Sequence, residues 1–359
     1  MSDKKVNYGI VGSGWRAEFF LRAARELPEK FSVCGLVTRR EETGRAIEKK
    51  FGVKTFRTIG DLLKNTAPDF AVASVAGSAL PGVIRELAQN GVPVLSETPP
   101  AYDMETLAEL NGLAERGAKI QVAEQYHLQP LHAARIKLAA SGKLGEITHA
   151  QVSFSHGYHA MSLARKLLGI GYENAAVRGV RFAETVVEGP GRYGLPEEEK
   201  LAQVGHVVAT LDFGGKTALY DFADNQHRSL VRSQRIVVRG SRGEIDNLSL
   251  KYLKDFRTPV ETELLLKNTG LWGNVDDYYI KGVLAGEEWV YENPYIPAKF
   301  SEDEVAVATC LDKMGDFVSG GPELYSLAEA SQDCYLGLML EKAVQSGETV
   351  VTETQPWAR

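Results

Sequence analysis

The sequence has 359 residues, 44% hydrophobic and 25% charged, with a formal net charge of −6. That length and composition suit a globular chain of two domains with sizeable cores. The mild negative balance shows no basic face and argues against a nucleic-acid binder, and no apolar run approaches the ~18 residues that a membrane span needs.

Cys34, Cys310 and Cys334 are far apart and without Cys-x-x-Cys spacing. They read as reduced thiols of a cytoplasmic protein, with neither a disulfide frame nor a zinc site. Met1 to Lys5 lead straight into a first strand, which leaves no room for a signal peptide.

In chain order, residues 6–11 read as a strand and 15–27 as a helix ending near Pro28. A strand over 31–37 and a helix over 43–51 follow, then a short helix over 58–65. Residues 69–75 form an apolar run of strand length, 81–90 a helix stopped by Gly91, and 92–95 a strand. A helix over 104–116, opened by Asp103 as N-cap, and a strand over 119–123 close the series. Strands alternating with helices at this spacing predict an α/β, doubly wound parallel sheet of the Rossmann type. It gives a dinucleotide-binding domain over residues 1–123.

Residues 124–359 read as an α+β domain for substrate and oligomerisation. A helix over 131–141 precedes a strand over 147–155 and a helix over 160–169. Strand-like pieces follow at 176–187, 203–213, 216–223, 233–239 and 244–252, with hairpin signals at 213–216 and 240–243. They predict a large, mostly antiparallel sheet. Residues 255–300, with Pro259, Gly270, Gly273, Pro294 and Pro297, show no regular pattern, and 302–318 and 326–344 read as closing helices.

The first chemistry-bearing stretch is the apolar run ending in Gly12-Ser13-Gly14-Trp15-Arg16-Ala17. Gly12 allows a tight turn, Gly14 lets a pyrophosphate approach the backbone, and Ala17 lets the helix pack close to the strand. The helix N-terminus then faces the phosphates. The second strand ends in Val37-Thr38-Arg39-Arg40, where an acidic residue would bind the ribose hydroxyls of NAD(H). Arginines there suit a 2′-phosphate instead, so NADP(H) is favoured, with NAD(H) as the alternative. Ala76, Glu97, Thr98 and Gln125 complete the candidate cofactor contacts.

The motif Ser96-Glu97-Thr98-Pro99-Pro100 resembles the Glu-Lys-Pro of the glucose–fructose oxidoreductase and inositol dehydrogenase group, Gfo/Idh/MocA. Residues 121–130 resemble that family's segment between domains, 141–147 its Gly-x-(Leu/Ile)-Gly-x-Ile turn, and 157–169 its Gly-x-His-x-x-Asp helix. The resemblance implies an NAD(P)-dependent oxidoreductase of sugars, cyclitols or related hydroxy or keto compounds, commonly a homodimer or homotetramer. Its lysine and histidine polarise and deprotonate a hydroxyl while hydride passes to the nicotinamide. Here the lysine position is Thr98 and the aspartate position Ser162. Threonine supplies no charge, so the acid–base set is altered.

His159 is the remaining acid–base candidate, a residue type whose ordinary pKa is near neutral, with Tyr158 beside it as a hydroxyl donor. Tyr126 and His127 follow the last parallel strand, where ligands bind in such folds, and are candidate substrate contacts. Lys166 lies two helical turns beyond His159 on the same face; it is a further candidate, with a solvent-facing lysine as the plainer reading. His156 and His159 are three apart, but no carboxylate lies close in sequence and a site needs three or four ligands, so no metal is expected. Along 220–228, alternation sends Asp221, Ala223, Asn225 and His227 one way and Phe222, Asp224, Gln226 and Arg228 the other. Asn225 and His227 are therefore candidates for a sugar-binding wall, against the reading of a polar sheet edge or subunit contact.

Two further readings stay open. One is a closed-cycle epimerase or glycosidase that keeps its cofactor bound. The other is a non-catalytic dinucleotide sensor or regulator, which Thr98 and Ser162 suit.

Overall fold

In a computed structural model, residues 5–191, 194–224, 226–273 and 277–358 are described. The apolar run before the glycine turn forms β1 (Val6–Val11), and α1 (Ala17–Glu26) follows. The chain continues through β2 (Phe31–Val37), α2 (Glu41–Phe51), β3 (Thr55–Phe56), α3 (Ile59–Asn65) and β4 (Phe70–Ala73). Then come α4 (Leu80–Gln89), β5 (Val94–Ser96), α5 (Met104–Glu115) and β6 (Ile120–Val122). The strands pair in parallel in the order β3-β2-β1-β4-β5-β6. The order reverses between β1 and β4, so a crevice opens at the carboxyl ends of the strands there.

The second half contains α6 (Pro130–Ala140), β7 (Ile147–Ser153), α7 (Gly157–Leu168), β8 (Ala176–Val187), β9 (Leu201–Asp212) and β10 (Thr217–Ala223). It continues with β11 (Arg235–Gly240), β12 (Gly243–Asp246), β13 (Ser249–Asp255), β14 (Thr258–Asn268), β15 (Ile280–Ala285) and β16 (Glu288–Glu292). The chain closes with α8 (Glu302–Val318), α9 (Leu327–Ser346) and β17 (Val350–Val351). The second sheet runs β16-β15-β14-β13-β12-β11-β7-β10-β9-β8-β17. Among the described residues its pairings are antiparallel except β7 with β10.

The segment 255–300 corrects the sequence expectation, because three strands lie within it. The period-two pattern is present in β14, where Leu264 and Leu266 point inward and Glu263, Leu265 and Lys267 outward. The run Leu264-Leu265-Leu266 hides it. Pro259 is tolerated because β14 pairs with β15 only from Leu264 onward, so the proline occupies a stretch with a neighbour on one side.

One face of the parallel sheet is covered by α1, α2 and α8, through Phe20, Ile47 and Leu311. The other is covered by α3, α4, α5 and α9, through Leu62, Ile84, Leu110 and Leu327. The second sheet packs Val152, Ala209 and Val238 against α6, α7 and α9. Helix α9 therefore touches both layers. A buried ion pair fixes it to α7: Arg165 Nη1 lies 2.7 Å from Asp333 Oδ1, with side chains 1% and 0% exposed. Tyr325 donates to the other oxygen of Asp333, and its hydroxyl shares a 3.3 Å hydrogen bond with Ser162 Oγ.

Removing one partner of a buried pair leaves the other charge unpaired, at about 3–5 kcal/mol. Asp333→Ala is expected to lower unfolding stability by that amount, read from the midpoint of denaturant unfolding.

Candidate functional site

The glycine turn follows from the crowding at the end of β1. Gly12 sits at φ +121°, and a Cβ there would lie 1.8 Å from the Ser74 carbonyl oxygen. Only glycine fits both constraints. At Gly14 a Cβ would meet no protein atom within 4 Å. That turn therefore faces open space at the start of α1, as close approach of a ligand requires.

The turn lines one wall of a cleft of about 1490 Å³. Ser13 and Thr38 share a hydrogen bond of 2.8 Å between hydroxyls, which ties the turn to the end of β2. Arg39 is exposed at the cleft edge beside Arg57, whose Nη1 donates to the Thr38 carbonyl. Arg40 caps α2 and does not line the cleft. Ala76, in the segment after β4, also lines the cleft.

Deeper in, Arg16 Nη1 lies 2.6 Å from Asp303, and its Nε lies 3.3 Å from Glu97. Burial pushes the Glu97 carboxyl up, and Arg16 opposes that shift. Asp303 also accepts from Gln129 Nε2. The charge of Arg16 is thus matched by two carboxylates. Thr98 follows Glu97 into the cleft.

The inner end of the cleft is built where β6 and α7 meet. Glu124, two residues beyond β6, is fully buried, and its Oε2 lies 2.7 Å from His159 Nδ1. Its Oε1 accepts from the Tyr126 amide at 3.3 Å. With Nδ1 bound to a carboxylate, Nε2 is the ring nitrogen left to meet a substrate. The Tyr126 ring lies 4.3 Å from the imidazole, and the Tyr158 ring 5.1 Å. Two buried polar atoms lining this region, Tyr158 Oη and Gln125 Oε1, have no hydrogen-bond partner among the described residues. Burial holds the Tyr158 hydroxyl well above its ordinary pKa, so it remains a donor.

The opposite wall is a single turn over residues 226–228. Its geometry corrects the alternation expected along 220–228, because β10 ends at Ala223 and the chain then coils tightly. Gln226 is buried and pins the turn: it accepts from Ala223 N and donates to the Ser153 and Ser233 carbonyls. His227 and Arg228 consequently line the cleft together. Asp221 instead binds His206 Nε2. The remaining residue of that reading, Asn225, lies outside the described residues.

Several sequence candidates lie elsewhere. His127 packs on Tyr325 at 5.0 Å, and burial pushes its pKa down to about 3. Lys166 is bound to Glu329 at 2.7 Å and lies over the Tyr325 ring. Two helical turns carry it about 10 Å along α7 from His159, too far to share the site. Neither residue lines the cleft. Ser162 faces Tyr325. By contrast His156 does line it, with its ring 5.3 Å from His159, and burial brings its pKa to about 4. Sequence reasoning passed over Glu124, Gln129, Asp303 and Arg57 as site residues. The signal for Glu124 was present: an acidic residue directly after the last apolar strand of a parallel sheet.

Among known proteins, residues 6–126 match the Gfo/Idh/MocA family, described as an oxidoreductase family with an NAD-binding Rossmann fold. No curated protein matches the chain. Solved structures share its fold over nearly its whole length. An Agrobacterium radiobacter oxidoreductase, solved with NAD+, L-tartaric acid and magnesium, is 16% identical, with 97% of this chain and 98% of that one covered and a TM-score of 0.68. A levoglucosan dehydrogenase solved with NADH and levoglucosan is 15% identical, with 97% and 99% covered and a TM-score of 0.70. The WlbA dehydrogenase of Bordetella pertussis, solved with NADH and UDP-GlcNAcA, is 16% identical, with 98% and 100% covered and a TM-score of 0.66.

Because a Cβ at Gly14 meets nothing, Gly14→Val is expected to leave thermal unfolding unchanged. It is expected to weaken NADH and NADPH binding about tenfold or more in a fluorescence titration, since the side chain fills the space a pyrophosphate needs.

Proposed function

We propose that this chain, whose residues 6–126 match the Gfo/Idh/MocA family of oxidoreductases with an NAD-binding Rossmann fold, interconverts a hydroxyl and a carbonyl group on a sugar-like substrate. The observation that carries the proposal is the buried Glu124–His159 pair facing the cleft. A nicotinamide dinucleotide, when bound, supplies the hydride acceptor or donor. The residues fit such a group: the Gly12–Arg16 turn leaves the space a pyrophosphate needs, and Gln125 Oε1 and Tyr158 Oη are buried atoms awaiting partners.

His159 Nε2 takes the proton of the substrate hydroxyl, and returns it in the opposite direction. Glu124 holds the Nδ1 proton, fixes the tautomer and stabilises the imidazolium once it forms. In the family's pattern an aspartate on the histidine's own helix is expected at position 162. Here the carboxylate comes from another element. Tyr158 offers a neutral hydrogen bond at a site that has no lysine at Thr98, and Arg16 does not replace that lysine because Glu97 and Asp303 neutralise it.

Arg39 and Arg57 stand at the adenosine end with no acidic residue directly after β2. They support a preference for NADP(H) over NAD(H), through charge-assisted bonds to a 2′-phosphate. A second reading, a dinucleotide sensor, is favoured by Thr98 and Ser162; a sensor has no use for a buried histidine–carboxylate pair at the substrate end.

His159→Ala and Glu124→Gln are each expected to lower kcat about 10²–10⁴-fold, with NADPH affinity unchanged in a fluorescence titration. The double variant is expected to lose no more than the slower single one, which marks the two residues as one unit. Arg39→Ala is expected to weaken NADPH binding about tenfold or more while leaving NADH binding unaltered, the loss of one charge-assisted contact.

A further inference from the structure

Arg228 is the cation at the reacting end of the cleft that nothing explains. It is half-buried and lines the cleft, yet no hydrogen bond or ion pair engages its guanidinium among the described residues. Arg16, in the same cleft, has two carboxylates. A half-buried guanidinium has lost part of its hydration and keeps donors free toward the cleft, so an anionic group there would meet it in charge-assisted hydrogen bonds. Its place is also fixed, since Gln226 anchors the turn through three hydrogen bonds and Gln234 donates to the His227 carbonyl.

Arg228 is a source of positive charge on the rings around it, against Asp303 and Glu124 at Tyr126 and Asp224 at His156. Both rings flank His159. His227 lies 6.3 Å from His156, ring to ring. Glu341 is held by Arg181 at 2.8 Å, Asp303 by Arg16, and the exposed Asp224 accepts from the Gly205 amide. The cofactor's own anionic groups are accounted for at the glycine turn and beside Arg39, at the other end of the cleft.

We infer that the substrate carries an anionic group, the carboxylate of a sugar acid or the phosphate of a sugar monoester, and that Arg228 binds it while His159 faces the reacting hydroxyl. A guanidinium meets either group through two parallel hydrogen bonds, which fixes orientation as well as charge. Arg228 then decides which sugar derivative is accepted and how it is turned toward His159. This inference rests on the reading of the cleft as a nicotinamide-dependent sugar site.

The test is calorimetric titration of the chain saturated with NADPH, whose own binding is measured first. The probes are D-glucuronate, D-galacturonate, D-gluconate and D-glucose 6-phosphate, each against its neutral parent D-glucose or D-galactose. At least one anionic probe is expected to bind about tenfold or more tighter than its parent, and whether the acids or the phosphate lead identifies the group. Arg228→Gln is expected to abolish that preference, Arg228→Lys to keep part of it, and both to leave NADPH affinity unchanged. NADPH binding with no anionic probe ahead of its parent overturns the inference alone, as does a preference that survives in Arg228→Gln. Failure to bind either NADPH or NADH overturns the cofactor reading beneath it, and the inference with it.

Discussion

A fully buried carboxylate against a histidine sets the terms for the rest of the structure. Taking the Glu124 charge out of water costs several kcal/mol, and that is sustainable only while His159 Nδ1 and the Tyr126 amide both stay in place. The residues belong to different elements, so β6, the turn after it and α7 must be held in register. The side chain of Gln121 accepts from the backbone of Leu324 and Tyr325, and Val122 donates to the Tyr325 carbonyl. Arg165 and Asp333 then lock α7 to α9, which itself packs on β6 and α5. The packing that holds Glu124 against His159 is thus the junction between the two sheets.

Charge within the cleft follows a simple distribution. Of its acidic groups, Glu97 and Asp303 are matched by Arg16 deep in the cleft, Glu341 pairs with Arg181 at the surface, and Glu86 is exposed at its rim. Cations without carboxylate partners among the described residues stand at its two ends, Arg39 beside β2 and Arg228 on the turn after β10. A chain of net charge −6 therefore presents a cleft with positive ends and a neutralised middle. That distribution suits a ligand set that is anionic at its extremities and reacts at its centre.

The parallel sheet was legible because its strands are buried on both faces and read as unbroken apolar runs between helical patterns. Gly12 was legible for the same reason that it is required: its turn packs on the Ser74 carbonyl. The later strands were harder. The period of β14 is masked by three consecutive leucines and a proline, and only the neighbouring strands reveal it. Side-chain destinations were hardest of all. Lys166 and His159 share a helix face in projection, yet α9 captures the lysine through Glu329. Arg228 and His227 alternate in a strand but share a wall once the chain coils at Gln226. Glu124 is 35 residues from His159 in sequence, and no local pattern joins them; only the packing of α7 on the end of the first sheet does.

The central claim is hydride transfer coupled to proton transfer at His159. It is tested most directly by incubating the chain with NADPH or NADH doubly deuterated at C4 of the nicotinamide, together with a panel of keto sugars and keto sugar acids, and following deuterium by mass spectrometry. The account predicts deuterium on the former carbonyl carbon of one product, formed orders of magnitude more slowly by His159→Ala. Transfer at an equal rate in that variant would contradict the acid–base assignment, and nucleotide that binds without transferring deuterium to any member would contradict the enzymatic reading.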